Sequence, residues 1–202
     1  MNFRMRYALP GLLVLLSALS AACVPTSPPM RFFVLAPIET GQPDGYTLHD
    51  RRVLIGPMRI AGYLERPQLM TRRSDGELIL HELDRWAAPL DEMLVQTLAE
   101  NLMQLTGSEQ VLAYPTPSRT DADLRVTGQI LRFDTDSEGI AVLKVQWQLK
   151  NARGDVLVLP QASEYRASAA NQGTAARVAA LSTVLGAFAR DLGAQLARPP
   201  DK

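Results

Sequence analysis

The sequence carries one cysteine, Cys23, and two histidines, His49 and His81, and these residue types are the first to question for chemistry. Nucleophilic catalysis needs a thiol or hydroxyl beside a base, and a zinc site needs clustered Cys and His. The histidines stand apart from each other and from Cys23, so no metal-ligand spacing is met. Neither a G-x-S-x-G elbow nor a G-x-x-x-x-G-K-[ST] phosphate loop occurs. Ser108 follows Gly107 where an apolar repeat stops, which suits a helix end rather than a nucleophile. DTDSEG, from Asp134 to Gly139, imitates the opening of a calcium loop. The chelating glutamate required at the twelfth loop position is Val145, so the stretch reads as a polar turn. Asp91-Glu92 suits the positive end of a helix better than an acid–base pair. No catalytic apparatus is visible in these residues, and no cofactor or metal is expected from them. The question narrows to Cys23.

Cys23 stands at a boundary. Arg4 and Arg6 open the chain, Tyr7 to Ala22 is almost wholly apolar or small, and Pro25, Pro28 and Pro29 follow. That pattern is a secretory signal peptide over 1–22, with Ser20-Ala21-Ala22 as the processing site. A membrane span needs about 20 apolar residues, and this run is shorter and broken by Pro10-Gly11. A lone cysteine in an exported chain has no internal disulfide partner. LSAAC resembles the lipobox of bacterial lipoproteins, with Ser20 where that pattern usually has leucine and Leu19 one place further out. The resemblance implies that Cys23 is acylated and becomes the first mature residue. Val24, rather than aspartate, follows it, and under the lipoprotein sorting rule this implies the periplasmic face of the outer membrane. Several acyl chains anchor far more firmly than one. Residues 23–30 are then the lipidated N-terminus and a short proline-rich tether.

The elements that follow must fold without a staple. Loss of 1–22 removes two arginines and no acid, leaving 19 basic against 21 acidic residues and a charge of about −2. Nucleic-acid binding asks for a basic domain and is not indicated. RFFVLAP (31–37) reads as a first strand, and Val53 to Ile55 as a second, closed by Gly56-Pro57. Ser74-Asp75-Gly76 divides Gln68 to Arg73 from Glu77 to Leu83 as a hairpin turn. Leu90, Leu94, Leu98, Leu102 and Leu105 form one helical face, with Met93 and Thr97 at its edge, Pro89 in its first turn and Gly107 after its end. VLAYP (111–115) is a short strand. Leu124, Val126 and Ile130 alternate and then slip parity to Phe133, which signals a bulge. Ala141, Leu143, Val145, Trp147 and Leu149 alternate cleanly. VLVLPQASEYRAS contains Pro160 and reads as an edge strand. A helix from about Gln172 to Leu196 carries Val178, Leu181, Leu185, Phe188, Leu192 and Leu196 on one stripe. This order gives a single α+β domain over 31–198, a mostly antiparallel or mixed sheet with two main helices packed on one face.

Two stretches carry more than periodicity. Ile55-Gly56-Pro57, YLERPQL from Tyr63 to Leu69 and RWAAPLDEML from Arg85 to Leu94 resemble the PqiC family of transport auxiliary lipoproteins, with Ala61 where that family often has proline. The resemblance implies a subunit, not an enzyme, anchored at the outer membrane and serving an intermembrane lipid transport system. Its partners would be a conduit protein with mammalian-cell-entry (MCE) domains or the subunits of an ABC transporter, and a homo-oligomeric ring is a further implication. Carried over onto this chain, the family motifs put forward Tyr63, Leu64, Arg66, Pro67, Trp86 and Pro89 as partner-binding residues. Tyr63 and Arg66 fall in a loop, where recognition residues concentrate, and Trp86 also suits a core position over the helix start. An activator of another periplasmic machine, such as a cell-wall synthase, would share the anchor and the domain but needs a longer tether. A lipid hydrolase lacks its nucleophile–histidine pair.

Overall fold

The computed structural model describes residues 28–39, 45–116 and 122–198. The signal peptide, Cys23 and residues 24–27 of the tether lie outside the described residues.

Eight strands form one mixed sheet: β1 (Arg31–Phe33), β2 (Val53–Ile60), β3 (Gln68–Arg72), β4 (Leu78–Trp86), β5 (Val111–Ala113), β6 (Leu124–Asp136), β7 (Ile140–Asn151) and β8 (Val156–Ser168). Two helices, α1 (Leu90–Thr106) and α2 (Thr174–Leu196), complete a single-domain α+β fold. β6 organises the sheet. Along one side it pairs antiparallel with β7, which pairs in turn with β8. Along the other side it is shared. Leu124 to Ile130 pairs parallel with β2, and Thr135-Asp136 pairs parallel with β3. The sheet therefore forks at Phe133, one branch running β2–β5 and the other β3–β4–β1. The parity slip after Ile130 is the register shift between Ile130 and Arg132 that aims β6 from one branch to the other.

Both helices cover one face because both are striped. Leu90, Leu94, Leu98, Leu102 and Leu105 of α1 are at most 4 % exposed, and each such side chain stabilises by about 1.5–3 kcal/mol through burial. Pro89 is the N-cap of α1, one position ahead of the first turn, where its missing N–H costs nothing. Gly107 ends the helix with φ +65°, its N–H bonded to the Met103 carbonyl at 2.8 Å. On α2, Phe188 lies against Trp147 and Tyr165, with ring centroids 6.0 and 5.8 Å away.

Three expectations are corrected. Gly56-Pro57 does not close β2. The strand continues to Ile60 because Gly56 takes φ +103° and the register with β6 shifts there, so the break is absorbed as a bulge. β1 stops at Phe33 rather than Pro37, because the chain leaves the sheet and crosses the helices. The Ala36 N–H donates to Ser182 Oγ at 3.1 Å and the Ile38 N–H to Asn101 Oδ1 at 2.7 Å. Gly186 and Gly193 make room for this strap, since a Cβ at Gly186 would overlap Ile38 and one at Gly193 would meet the Tyr46 ring at 3.0 Å. Tyr63 and Leu64 lie in a 3-10 turn (Gly62–Glu65) rather than an open loop. The turn seats against β6 through Ala61 N–H to the Ile130 carbonyl at 3.0 Å. β8 pairs only with β7 and is an edge, with Pro160 where the register shifts. Among the described residues no helix is long and apolar enough to cross a membrane.

Gly128 of β6 has no room for a side chain. A Cβ there would overlap the Gln146 carbonyl oxygen and approach Trp147 Cα to 3.0 Å. Both obstacles are backbone, so relief requires moving β7. Gly128→Ala is expected to lower unfolding free energy by about 1–3 kcal/mol in denaturant melts. Gly62→Ala, which meets nothing within 4 Å, should stay within about 0.5 kcal/mol of the parent chain.

Candidate functional site

The stretches around Tyr63 and Trp86, distant in sequence, meet at one end of the sheet. The Trp86 N–H donates to the Pro67 carbonyl at 2.7 Å, and the Ala87 N–H to the Phe33 carbonyl at 2.9 Å. β4 is thereby tied to the segment leaving the 3-10 turn on one side and to β1 on the other. A shallow open groove runs past Pro57, Arg59, Glu65, Pro89 and Asp91. The six residues named for partner contact therefore belong to one region, but they occupy different depths. Leu64 is 1 % exposed and Trp86 6 %, and Trp86 packs on Phe133 with centroids 6.3 Å apart. Tyr63 is half-buried. Arg66, Pro67 and Pro89 are exposed and form the region's rim.

What holds the rim is a carboxylate the sequence does not advertise. Asp134 has no side-chain surface in water. Its Oδ2 accepts from Tyr63 Oη at 3.0 Å and from Arg72 at 3.1 and 2.8 Å, and its Oδ1 accepts from Arg132 Nε at 2.8 Å. The Arg72 guanidinium also lies 5.1 Å from the Tyr63 ring centre. Burial first, and then the Asp134 charge, pushes the Tyr63 phenol up to about 12, so it remains a donor at any physiological pH. Arg72, bonded to Asp134, is raised above its ordinary value. In the sequence Asp134 reads only as the start of a turn. Asp136 does that work, its Oδ1 accepting from Glu138 and Ile140 N–H at 3.0 and 2.8 Å. An arginine two places before Asp134 on the same strand was the one available sign of a charged pair.

A second ion pair fixes β1. Arg31 Nε and Nη2 donate to Asp84 at 2.6 and 2.7 Å, and Thr174 Oγ1 at the start of α2 donates to Asp84 at 2.7 Å. The Arg31 bond holds the Asp84 carboxyl below its usual range. His81 is engaged with Thr71 Oγ1 at 2.8 Å. Beside His81, Trp86 and Arg177 the interior keeps a cavity of about 10 Å³, one water's worth and far too small for an acyl chain. Among the described residues no group of three His, Cys, Asp or Glu side chains could hold a metal ion.

Comparison with known proteins shows the family and the fold. Residues 33–193 match the family described as ABC-type transport auxiliary lipoprotein component. The fold is shared with protein XCC0632 from Xanthomonas campestris, of family DUF330, at 19 % identity and TM-score 0.66, covering 82 % of this chain and 95 % of that one. An uncharacterized protein of known structure is similar at 18 % identity and TM-score 0.66, covering 83 % of this chain and 99 % of its own. No curated protein matches the sequence.

Asp134→Ala strands two guanidiniums and a phenol together. It is expected to cost about 3 kcal/mol in denaturant melts, at the low end for a broken buried pair, because both arginines keep a quarter of their surface in water. Tyr63→Phe removes one bond to a charged acceptor and should cost about 1–2 kcal/mol. Asp84 has a folded pKa below its unfolded value of about 3.9, so its contribution is complete above that pH and lost as pH falls through the folded pKa. Asp84→Asn should therefore lower stability at neutral pH and flatten the acid limb of a stability–pH curve.

Proposed function

The chain belongs to the ABC-type transport auxiliary lipoproteins, the family of PqiC-like proteins, and from that premise we propose that it is a non-catalytic docking subunit of an intermembrane lipid transport system. Acylated Cys23 holds it to the periplasmic face of the outer membrane, and the exposed Arg66, Pro67 and Pro89 engage an MCE-domain conduit or an ABC transporter subunit. The observation that carries this reading is the convergence of the two motif stretches through the Trp86–Pro67 bond into one exposed rim. Arginine is a frequent anchor in such contacts, and prolines offer a surface already fixed in shape. Tyr63, Leu64 and Trp86 serve the contact from beneath, by setting where the rim stands. Ring-like self-association is part of the same proposal. The surface that suits it is the apolar end of β8, where Val156, Leu157 and Leu159 are 44, 48 and 76 % exposed.

Photo-crosslinking side chains placed at Arg66 and at Pro89 in living cells should trap an MCE-domain or transporter protein. The same group at Arg153, in the β7–β8 turn, should trap none. Adducts from the rim that contain only cell-wall enzymes would replace this reading with that of a synthase activator. Lipid release by the purified chain would replace it with a hydrolase.

A further inference from the structure

We propose that the outer face of the β1–β4 edge lies against the surface of the phospholipid bilayer, an inference that rests on the anchored reading above. Met30, Phe32 and Val34 are 46, 63 and 62 % exposed, and they alternate with Arg31, Phe33 and Leu35, which turn to the helix side. Arg31 pairs with Asp84 and Phe32 with Arg85, so Met30 falls beside Leu83, itself 41 % exposed. The four side chains form one continuous apolar row on the face away from the helices. Large apolar side chains gathered on a surface mark a contact.

The tether selects the bilayer as that contact. Pro28 is five peptide units from Cys23, a reach of at most about 18 Å. Met30 is two residues further on. With acyl chains in the membrane, an apolar surface is held next to the row at a high effective concentration that a free partner would have to match. Charge is consistent with this. Arg31 is bonded to Asp84, and Arg85, whose Nε donates to the Glu82 backbone carbonyl at 3.3 Å, keeps a positive charge beside Phe32 that suits anionic headgroups. Insertion is shallow, because the outer edge of β1 carries backbone N–H and C=O groups that must stay hydrated. The side-chain tips reach the headgroup–acyl boundary, as amphipathic interfacial elements do. Arg66, Pro67 and Pro89 lie at the end of β1 away from Pro28, which sets the rim off from the point of anchorage.

The test uses the full acylated chain in phosphatidylethanolamine–phosphatidylglycerol vesicles with brominated acyl chains. Trp86 and Trp147 are buried and give a constant background. The added emission of Phe32→Trp should shift to the blue and fall by about half, the behaviour of a side chain at the acyl boundary. Arg153→Trp, in the β7–β8 turn at the far edge of the sheet, should keep its emission. Equal quenching of the two overturns the inference. So does a Phe32→Trp signal shielded from iodide yet untouched by bromine, which would mean that a second copy or another protein covers the row. Mass spectrometry separates the two levels. An unmodified Cys23 on a chain that does not float with vesicles overturns the anchored reading and this inference with it. An acylated, floating chain with unquenched Phe32→Trp overturns the inference alone.

Discussion

Asp134 is the point on which the sheet turns. A carboxylate sealed from water is expensive, and it is kept only where enough donors surround it. Here two arginines and a tyrosine supply them, each from a different piece of chain: Arg132 from β6 itself, Arg72 from β3 and Tyr63 from the 3-10 turn. The position matters as much as the count. Asp134 sits where β6 has finished with β2 and is about to take up β3. A strand that changes partner leaves a gap in the ladder, and the backbone groups of that gap need cover. The 3-10 turn provides it, and Asp134 holds the turn in place. Such a network is not a large net source of stability. Its effect is to make one arrangement of the fork far better satisfied than any other.

The helix layer is held by the opposite means. The strap over α1 and α2 is fitted by glycines beneath it and by two strap N–H groups that donate to the Ser182 and Asn101 side chains. Asn101, fully buried in α1, spends its carbonyl oxygen on the Ile38 N–H. Gly186 and Gly193 lie seven residues apart, about two helical turns, and so repeat on one face of α2. The strap follows that face. In consequence the N-terminal chain is not an appendage. From Arg31 onward it is bonded first to the sheet, through Asp84, and then to both helices. Force applied at the N-terminus is therefore passed into the whole domain.

Much of this was legible in the residues. The stripes of α1 and α2, the alternation of β7, the Ser74–Gly76 hairpin and the edge character of β8 all follow from local pattern, because each buries its apolar positions at one fixed period. Even the bulge in β6 shows as a slip of parity before Phe133. What did not show is whatever depends on a distant partner. Gly56-Pro57 looks like an end, and only pairing with β6, which resumes at Met58, carries β2 through it. Pro37 looks like the end of a strand because the strap has no period of its own. Asp134 looks like a turn residue because nothing nearby in sequence says that Tyr63 and Arg72 will close over it. The candidate site divides in the same way. The motif positions were visible, but not which of them face outward.

That division bears on how such a domain can act. A motif that mixes buried Leu64 and Trp86 with exposed Arg66 and Pro89 describes first an architecture and only second a contact. The core members fix the height and angle of the rim, and the exposed members can then meet a partner with little left to order on binding. The cavity beside the site has the volume of one water, too small for an acyl chain. What the described residues supply is geometric: β1 is held to the sheet by the Arg31–Asp84 pair, and the rim stands on the same sheet above a buried carboxylate.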